Sequence, residues 1–213
     1  TQNADVARAC LAAGAAVVNF VSCAADIELA RACAEADAAY VLMHSRGSQE
    51  KMVDFSVVEP DAYRDVVFDV IREWKEAADR VKKTGVDPNA LVMDPGLGFA
   101  KNARHSAELV KRLGELIGHV GVPVMVGASR KSFLKVVDPD AVSPSDRLGA
   151  SLAVAILSVA RGAQLLRVHD VAVTRQTIDA MLAWGSDAMH LAARASVLTS
   201  PPPSSERGGG ALV

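Results

Sequence analysis

Short runs of wholly apolar residues alternate with stretches of helical periodicity along most of this 213-residue sequence, and no tight turn such as Asn-Gly joins two of the runs. The runs read as strands over residues 15–21, 38–43, 91–94, 122–126 and 165–169. Strands that are apolar on both faces belong in a sheet covered on both sides, and the helical stretches between them supply parallel crossovers. The fold class expected is therefore α/β with a parallel sheet, either a barrel or an open sheet. Both architectures place their sites at the carboxyl ends of the strands.

The intervening segments fit helices over residues 5–13, 26–36, 61–83, 106–116, 146–161 and 173–189. Asp26 is placed as an N-cap and Pro60 as a first-turn proline, with Val66, Val67, Val70, Ile71, Trp74 and Ala78 on one helical face. Residues 1–190 form one globular unit in this reading. Residues 191–213, with Pro201, Pro202, Pro203 and a Gly208–Gly210 run, show no apolar periodicity and read as a flexible tail.

Half of the chain is apolar, enough for a sizeable core. A formal charge of -2 gives no general attraction to nucleic acid or to anionic membranes, so any basic site must be local. No stretch approaches the length of a membrane span, the first residues lack the build of a signal peptide, and Cys10, Cys23 and Cys33 lack metal-ligand spacing. The expectation is a cytoplasmic protein with buried, reduced thiols.

Polar residues gather at the strand ends. Arg167 and His169, two apart, share a face of the last strand, and a guanidinium beside an imidazole suits a phosphate or pyrophosphate; a surface ion pair of Arg167 with Asp170 is the alternative. Asp94 precedes the turn Pro95-Gly96-Leu97-Gly98-Phe99. It could accept paired N–H bonds from a pterin or guanine edge, or cap the turn's own amides. Ser129, Arg130, Lys131 and Ser132 follow another strand, where they read as an anion site or as a solvated basic loop. By alternation Asn19 points toward the site and Phe20 toward the helices. His44 reads as a satisfied core histidine, and His105, His119 and His190 as surface residues. Gly-x-Gly-x-x-Gly, Walker and Gly-x-Ser-x-Gly motifs are all missing from the sequence.

Three segments in order, Leu91-Val92-Met93-Asp94-Pro95-Gly96-Leu97-Gly98-Phe99-Ala100-Lys101, Val126-Gly127-Ala128-Ser129-Arg130-Lys131-Ser132 and Arg167-Val168-His169-Asp170, closely resemble the dihydropteroate synthase family, and the likeness extends over residues 1–184. The resemblance implies a (β/α)8 TIM barrel of folate synthesis, of which this chain supplies about the last five strands. The remaining N-terminal strands would come from elsewhere, and the chain alone would be inactive. The implied reaction joins 4-aminobenzoate to a pterin methyl pyrophosphate and releases pyrophosphate.

Carried over by position, Asn19, Asp94 and Lys131 would bind the pterin, with Met43, Gly127 and Phe99 lining its pocket and the aminobenzoate slot. Arg167 and His169 would hold the pyrophosphate, Ser132 would receive the aminobenzoate carboxylate, and Arg130 would flank the pterin ring. Asp94, Lys131, Arg167 and His169 would carry the catalysis. Magnesium would enter on the substrate pyrophosphate, because its usual protein ligand in the family has no counterpart here. Partners implied are the small-molecule substrates, the N-terminal part of the barrel and a second copy in a homodimer, with neither nucleic acid nor membrane. Phe20 stands where the family usually has Asp. A methyltetrahydrofolate:corrinoid methyltransferase, which needs no pyrophosphate site, and a non-catalytic pterin-binding paralogue are the competing readings.

Overall fold

The computed structural model describes residues 1–22, 27–47 and 58–185. Among them run α1 (Ala4–Ala12), β1 (Val17–Phe20), α2 (Ile27–Glu35), β2 (Ala39–Met43), α3 (Val66–Lys82), β3 (Leu91–Asp94), α4 (Ala103–Lys111), α5 (Leu113–Val120), β4 (Met125–Val126), α6 (Leu148–Ala160), β5 (Leu165–Leu166) and α7 (Val171–Trp184). All strand pairs are parallel. β1, β2 and β3 pair in that order, β4 pairs with β5, and a bridge between Met93 and Val124 joins the two ladders.

Strand order thus follows chain order without reversal. Every crossover steps to the next neighbour in the same direction, which is the winding of a barrel wall; a doubly wound sheet reverses at a switch point. The central run, β2, is buried on both faces as its composition requires: Tyr40, Val41, Leu42 and Met43 are all buried, and Phe20 stacks on Tyr40 at 6.1 Å on the helix side. α3 covers β2 with Val67, Val70, Trp74, Ala78 and Val81, and the Trp74 indole N–H donates to the Leu42 carbonyl at 2.8 Å. An indole buried there needs an acceptor, so this bond fixes the helix against the sheet as well as satisfying it.

Several boundaries differ from the periodicity. α3 starts at Val66 because the Asp65 carboxylate accepts from the Val67 and Phe68 amides; Pro60 lies in a turn outside the helix. The single helix expected over 106–116 is two, broken at Arg112, whose guanidinium pairs with Asp65 and Glu115. The last two strands are shorter than their apolar runs. His105 is buried, with its ring against Tyr63 and bonded to the Pro60 carbonyl, and Cys10 is exposed. Asp26, Cys23, His190, most of the loop after His44 and the 191–213 tail lie outside the described residues. No described helix is long and apolar enough to cross a membrane.

Candidate active site

The register brings the site together. Met43 pairs with Asp94 across β2 and β3, and the ladder runs one step further, with the His44 amide donating to the Asp94 carbonyl at 2.8 Å. On the other ladder the Arg167 amide donates to the Val126 carbonyl at 2.9 Å, so Arg167 and His169 extend the direction of β5 beyond its last ladder residue. A Cβ at Gly127 would lie 3.8 Å from Asp94 Oδ2 and 3.9 Å from Arg167 Cβ. The ends of β3, β4 and β5 therefore converge, with Gly127 as the small residue between carboxylate and guanidinium.

Asp94 is buried. Its Oδ1 accepts the Gly96 amide at 2.7 Å, which is the turn-capping role, while Oδ2 faces Gly127. The turn-capping reading therefore holds through Oδ1, and Oδ2 is left toward Gly127. Burial pushes its pKa up, and Lys131, the Gly96 amide, Lys101 and Arg167 act against that rise. Gly96 adopts φ +65°, and a Cβ there would sit 2.0 Å from the His44 carbonyl oxygen, so the turn beneath Asp94 closes only on glycine.

Lys131 reaches back across this turn. Its Nζ donates to the Leu97 carbonyl at 2.6 Å and lies 4.3 Å from the Phe99 ring centroid. Burial lowers its pKa to about 8, with Arg167 adding to the fall and Asp94 opposing it. Arg167 and His169 are exposed at the rim. The Ser129 hydroxyl accepts the His169 backbone amide at 3.2 Å and stands 3.1 Å from His169 Nδ1. The hydroxyl thus holds the ring through both its backbone amide and Nδ1, and fixes the direction of the imidazole. Arg167 and the His169 ring are groups of the kind an anion site uses.

Asn19, on β1, places its amide oxygen in a buried position with no hydrogen-bond partner among the described residues. A buried acceptor of that kind calls for a donor from a ligand. Two predicted residues are not drawn in. Arg130 turns away to pair with Asp170, its Nε 2.9 Å from Oδ2, so Asp170 belongs to Arg130 and not to Arg167. Ser132 is exposed and opens a five-residue 3-10 turn, Ser132–Val136, without a side-chain cap. Among the described residues no group of three or more His, Cys, Asp or Glu is placed to hold a metal ion.

Behind the turn lies a network that periodicity alone does not reveal. Lys101 Nζ, buried, donates to His44 Nδ1 at 2.8 Å and to the Gly96 and Phe99 carbonyls at 3.2 and 3.0 Å. His44 Nε2 donates to Glu73 at 3.1 Å, and Arg46 holds Glu73 through Nε at 2.9 Å. Burial lowers the His44 pKa to about 3, reinforced by Lys101, so the ring is neutral. On the other flank the Arg147 guanidinium donates to the Ala141, Arg130 and Val142 carbonyls, and the Ser151 hydroxyl accepts the Arg130 amide, holding Arg130 at φ +60°. The signal for the first network was present as a histidine and an arginine just past a strand end and a lysine closing a glycine turn; their meeting depends on long-range packing.

The family model described as Pterin binding enzyme matches residues 1–169. The chain is 43% identical over 189 residues to dihydropteroate synthase of Mycobacterium leprae, a match that covers 86% of this chain and 65% of that protein. It is 35% identical over 181 residues to the Escherichia coli dihydropteroate synthase, covering 85% and 60%. Among solved structures, dihydropteroate synthase from Thermus thermophilus in complex with 6HMPPP superposes with a TM-score of 0.78 at 33% identity, covering 87% of this chain and 71% of that one. The chain thus spans less than two thirds of the length of those two sequence relatives. It belongs to the pterin binding enzyme family, and the relatives it matches there are dihydropteroate synthases.

Proposed function

We propose that this chain carries the pterin and pyrophosphate halves of a dihydropteroate synthase site, which condenses 4-aminobenzoate with 6-hydroxymethyl-7,8-dihydropterin pyrophosphate and releases pyrophosphate. The observation that carries this reading is the convergence of a buried carboxylate, Asp94, with the cations Lys131 and Arg167 around Gly127, with His169 at the same rim. Asp94 accepts the paired N–H groups of the pterin, and Asn19 Oδ1 and Lys131 complete its polar contacts. Met43 and Phe99 line the ring's pocket. Arg167 and His169 hold the pyrophosphate and stabilise its charge as the carbon–oxygen bond to the pterin methyl group breaks. The positive charge that develops on the pterin methylene is stabilised by Asp94, and the aminobenzoate nitrogen attacks that carbon and gives up a proton. The chain supplies position and charge in this scheme, not a nucleophile. Magnesium fits as a companion of the substrate pyrophosphate.

The same reading takes β1 to β5 as part of a (β/α)8 barrel. Val17 on β1 and Leu165 on β5 are 54% and 41% exposed, as apolar residues on strands that lack a neighbour would be. A pyrophosphate-release assay on the full-length protein with both substrates tests the proposal. Pyrophosphate released only when 4-aminobenzoate is present, together with dihydropteroate, is the expected result. A folded protein that binds the pterin substrate and transfers nothing to 4-aminobenzoate would favour the non-catalytic reading.

A further inference from the structure

Lys101 is 1% exposed, an unusual burial for an ammonium group, and two of its bonds are directed at the turn on which Asp94 stands. Its Nζ donates to the carbonyls of Gly96 and Phe99, which bracket that turn, and Gly96 in turn gives its amide to Asp94. Beside these two carbonyls and the His44 carbonyl at 3.4 Å, the ammonium makes its shortest contact with the His44 Nδ1 lone pair at 2.8 Å. That bond exists only while His44 is neutral with its proton on Nε2, the state that Glu73 selects by accepting from Nε2, and Glu73 is itself held by Arg46. Lys101, His44, Glu73 and Arg46 thus form a chain from α3 to the turn behind Asp94.

We infer that Lys101 is a positioning residue for the pterin-binding carboxylate: it fixes the 96–99 turn beneath Asp94 and supplies part of the positive charge facing it, with neutral His44 as its acceptor. The inference rests on the assignment of Asp94 to the pterin. The charged groups that bear on Asp94 are Lys131, Lys101 and Arg167; those that bear on the His44–Lys101 pair are Glu73 and Arg46, with the Tyr63 ring 6.0 Å from Nζ. Removing Lys101 therefore has two separable consequences. The turn loses its ammonium anchor, which lowers affinity at every pH. Asp94 loses one of three cations, which moves its protonation to higher pH and carries the acid limb of pterin binding with it.

The test is calorimetric titration of 6-hydroxymethylpterin into the full-length protein, from acidic to mildly alkaline pH, for wild type, Lys101→Met, His44→Asn and His44→Leu. Lys101→Met should weaken binding about tenfold or more near neutral pH and shift the acid limb upward. His44→Asn keeps an acceptor near the Nδ1 position and should stay within about threefold of wild type, whereas His44→Leu, which removes that acceptor, should fall with Lys101→Met. If the wild type does not bind the pterin, the assignment of Asp94 fails and the inference falls with it. If it binds, and Lys101→Met leaves both affinity and acid limb in place, only the inference is overturned. A loss of thermal stability with the acid limb unmoved likewise overturns it, by reducing Lys101 to a packing role. Should Lys101→Met not fold, the His44 pair decides: equal affinity in His44→Asn and His44→Leu refutes the inference.

Discussion

The two sides of the site solve opposite problems. On the β1–β3 side the polar groups are hidden: Asp94 is buried, its turn is closed by a glycine that tolerates no side chain, and a buried lysine braces it from behind. On the β4–β5 side the cations stand in the open, with Arg167 and His169 both exposed on a stretch whose ladder is only two residues long. A planar, neutral pterin edge is recognised by a dry carboxylate, because water competes with every N–H bond it would accept. In the proposed reaction a pyrophosphate arrives and departs at each turnover, and donors at a wet rim can bind it without paying to desolvate both charges. On that proposal rigidity is concentrated where the ligand is discriminated, and accessibility where the leaving group escapes.

If that contrast is right, the buried side should be the fragile one. Gly96→Ala places a Cβ 2.0 Å from the His44 carbonyl at a left-handed φ, so the backbone must move, and a loss of about 3 kcal/mol or more of folding stability is expected. Chemical denaturation of the full-length protein measures it; a variant as stable as wild type would show that the turn is slack. Asp94→Asn comes next. It keeps the shape but presents a donor where the pterin also donates, and should weaken pterin affinity by about 2–3 kcal/mol in calorimetry with little change in stability, since Oδ1 can still cap Gly96.

The exposed side should lose binding without losing the fold. Arg167→Ala removes one arm of the anion rim and should weaken pyrophosphate binding by about 2 kcal/mol while leaving affinity for an unphosphorylated pterin nearly unchanged. Equal losses for both ligands would mean that the two sides are not separate.

The same contrast explains what could be read from sequence. The β3 strand, its closing Asp94 and the glycine turn were legible because a buried strand must be continuously apolar, and a strand-end carboxylate next to two glycines has few structural excuses. Phe20 was placed on the helix side by alternation alone, and it stacks there on Tyr40. The 61–83 helix was misread at its start because the Asp65 cap and the Pro60 turn look alike without knowledge of which amides need an acceptor. His105 was read as a surface residue because helical periodicity says nothing of the Tyr63 ring that covers it. The resemblance implies that Arg130 flanks the pterin ring, and nothing local reveals that a left-handed φ held by Ser151 and Arg147 also pairs its guanidinium with Asp170. Lys101, Glu73 and Arg46 were invisible as a group, since nothing local ties residues that meet only across the sheet and α3.

Lys131 joins the two sides, and its titration should show it. Its pKa lies near 8, well below the usual 10.5, because the charged form is disfavoured by burial and by Arg167. In the substrate-free protein the ammonium therefore costs stability below about pH 8, and that cost fades as pH rises toward the unfolded value. Over the same window the cation that faces Asp94 and the pyrophosphate is lost. Stability should rise slightly through this group while kcat/KM for the pterin pyrophosphate falls, with an alkaline limb near pH 8 that Lys131→Arg moves to higher pH. A flat profile would place Lys131 outside the chemistry.

The smallest expected effect falls on the hydroxyl behind the rim. Ser129 accepts the His169 amide and lies within hydrogen-bond distance of Nδ1, so the imidazole is turned before any anion arrives. In Ser129→Ala the ring keeps its place in the chain but loses this partner and is free to rotate, which costs about 1 kcal/mol in pyrophosphate affinity. Calorimetry with pyrophosphate and with an unphosphorylated pterin separates this from a simple packing defect: only the anion should bind more weakly, whereas equal losses for both ligands would show that the hydroxyl merely packs the strand end.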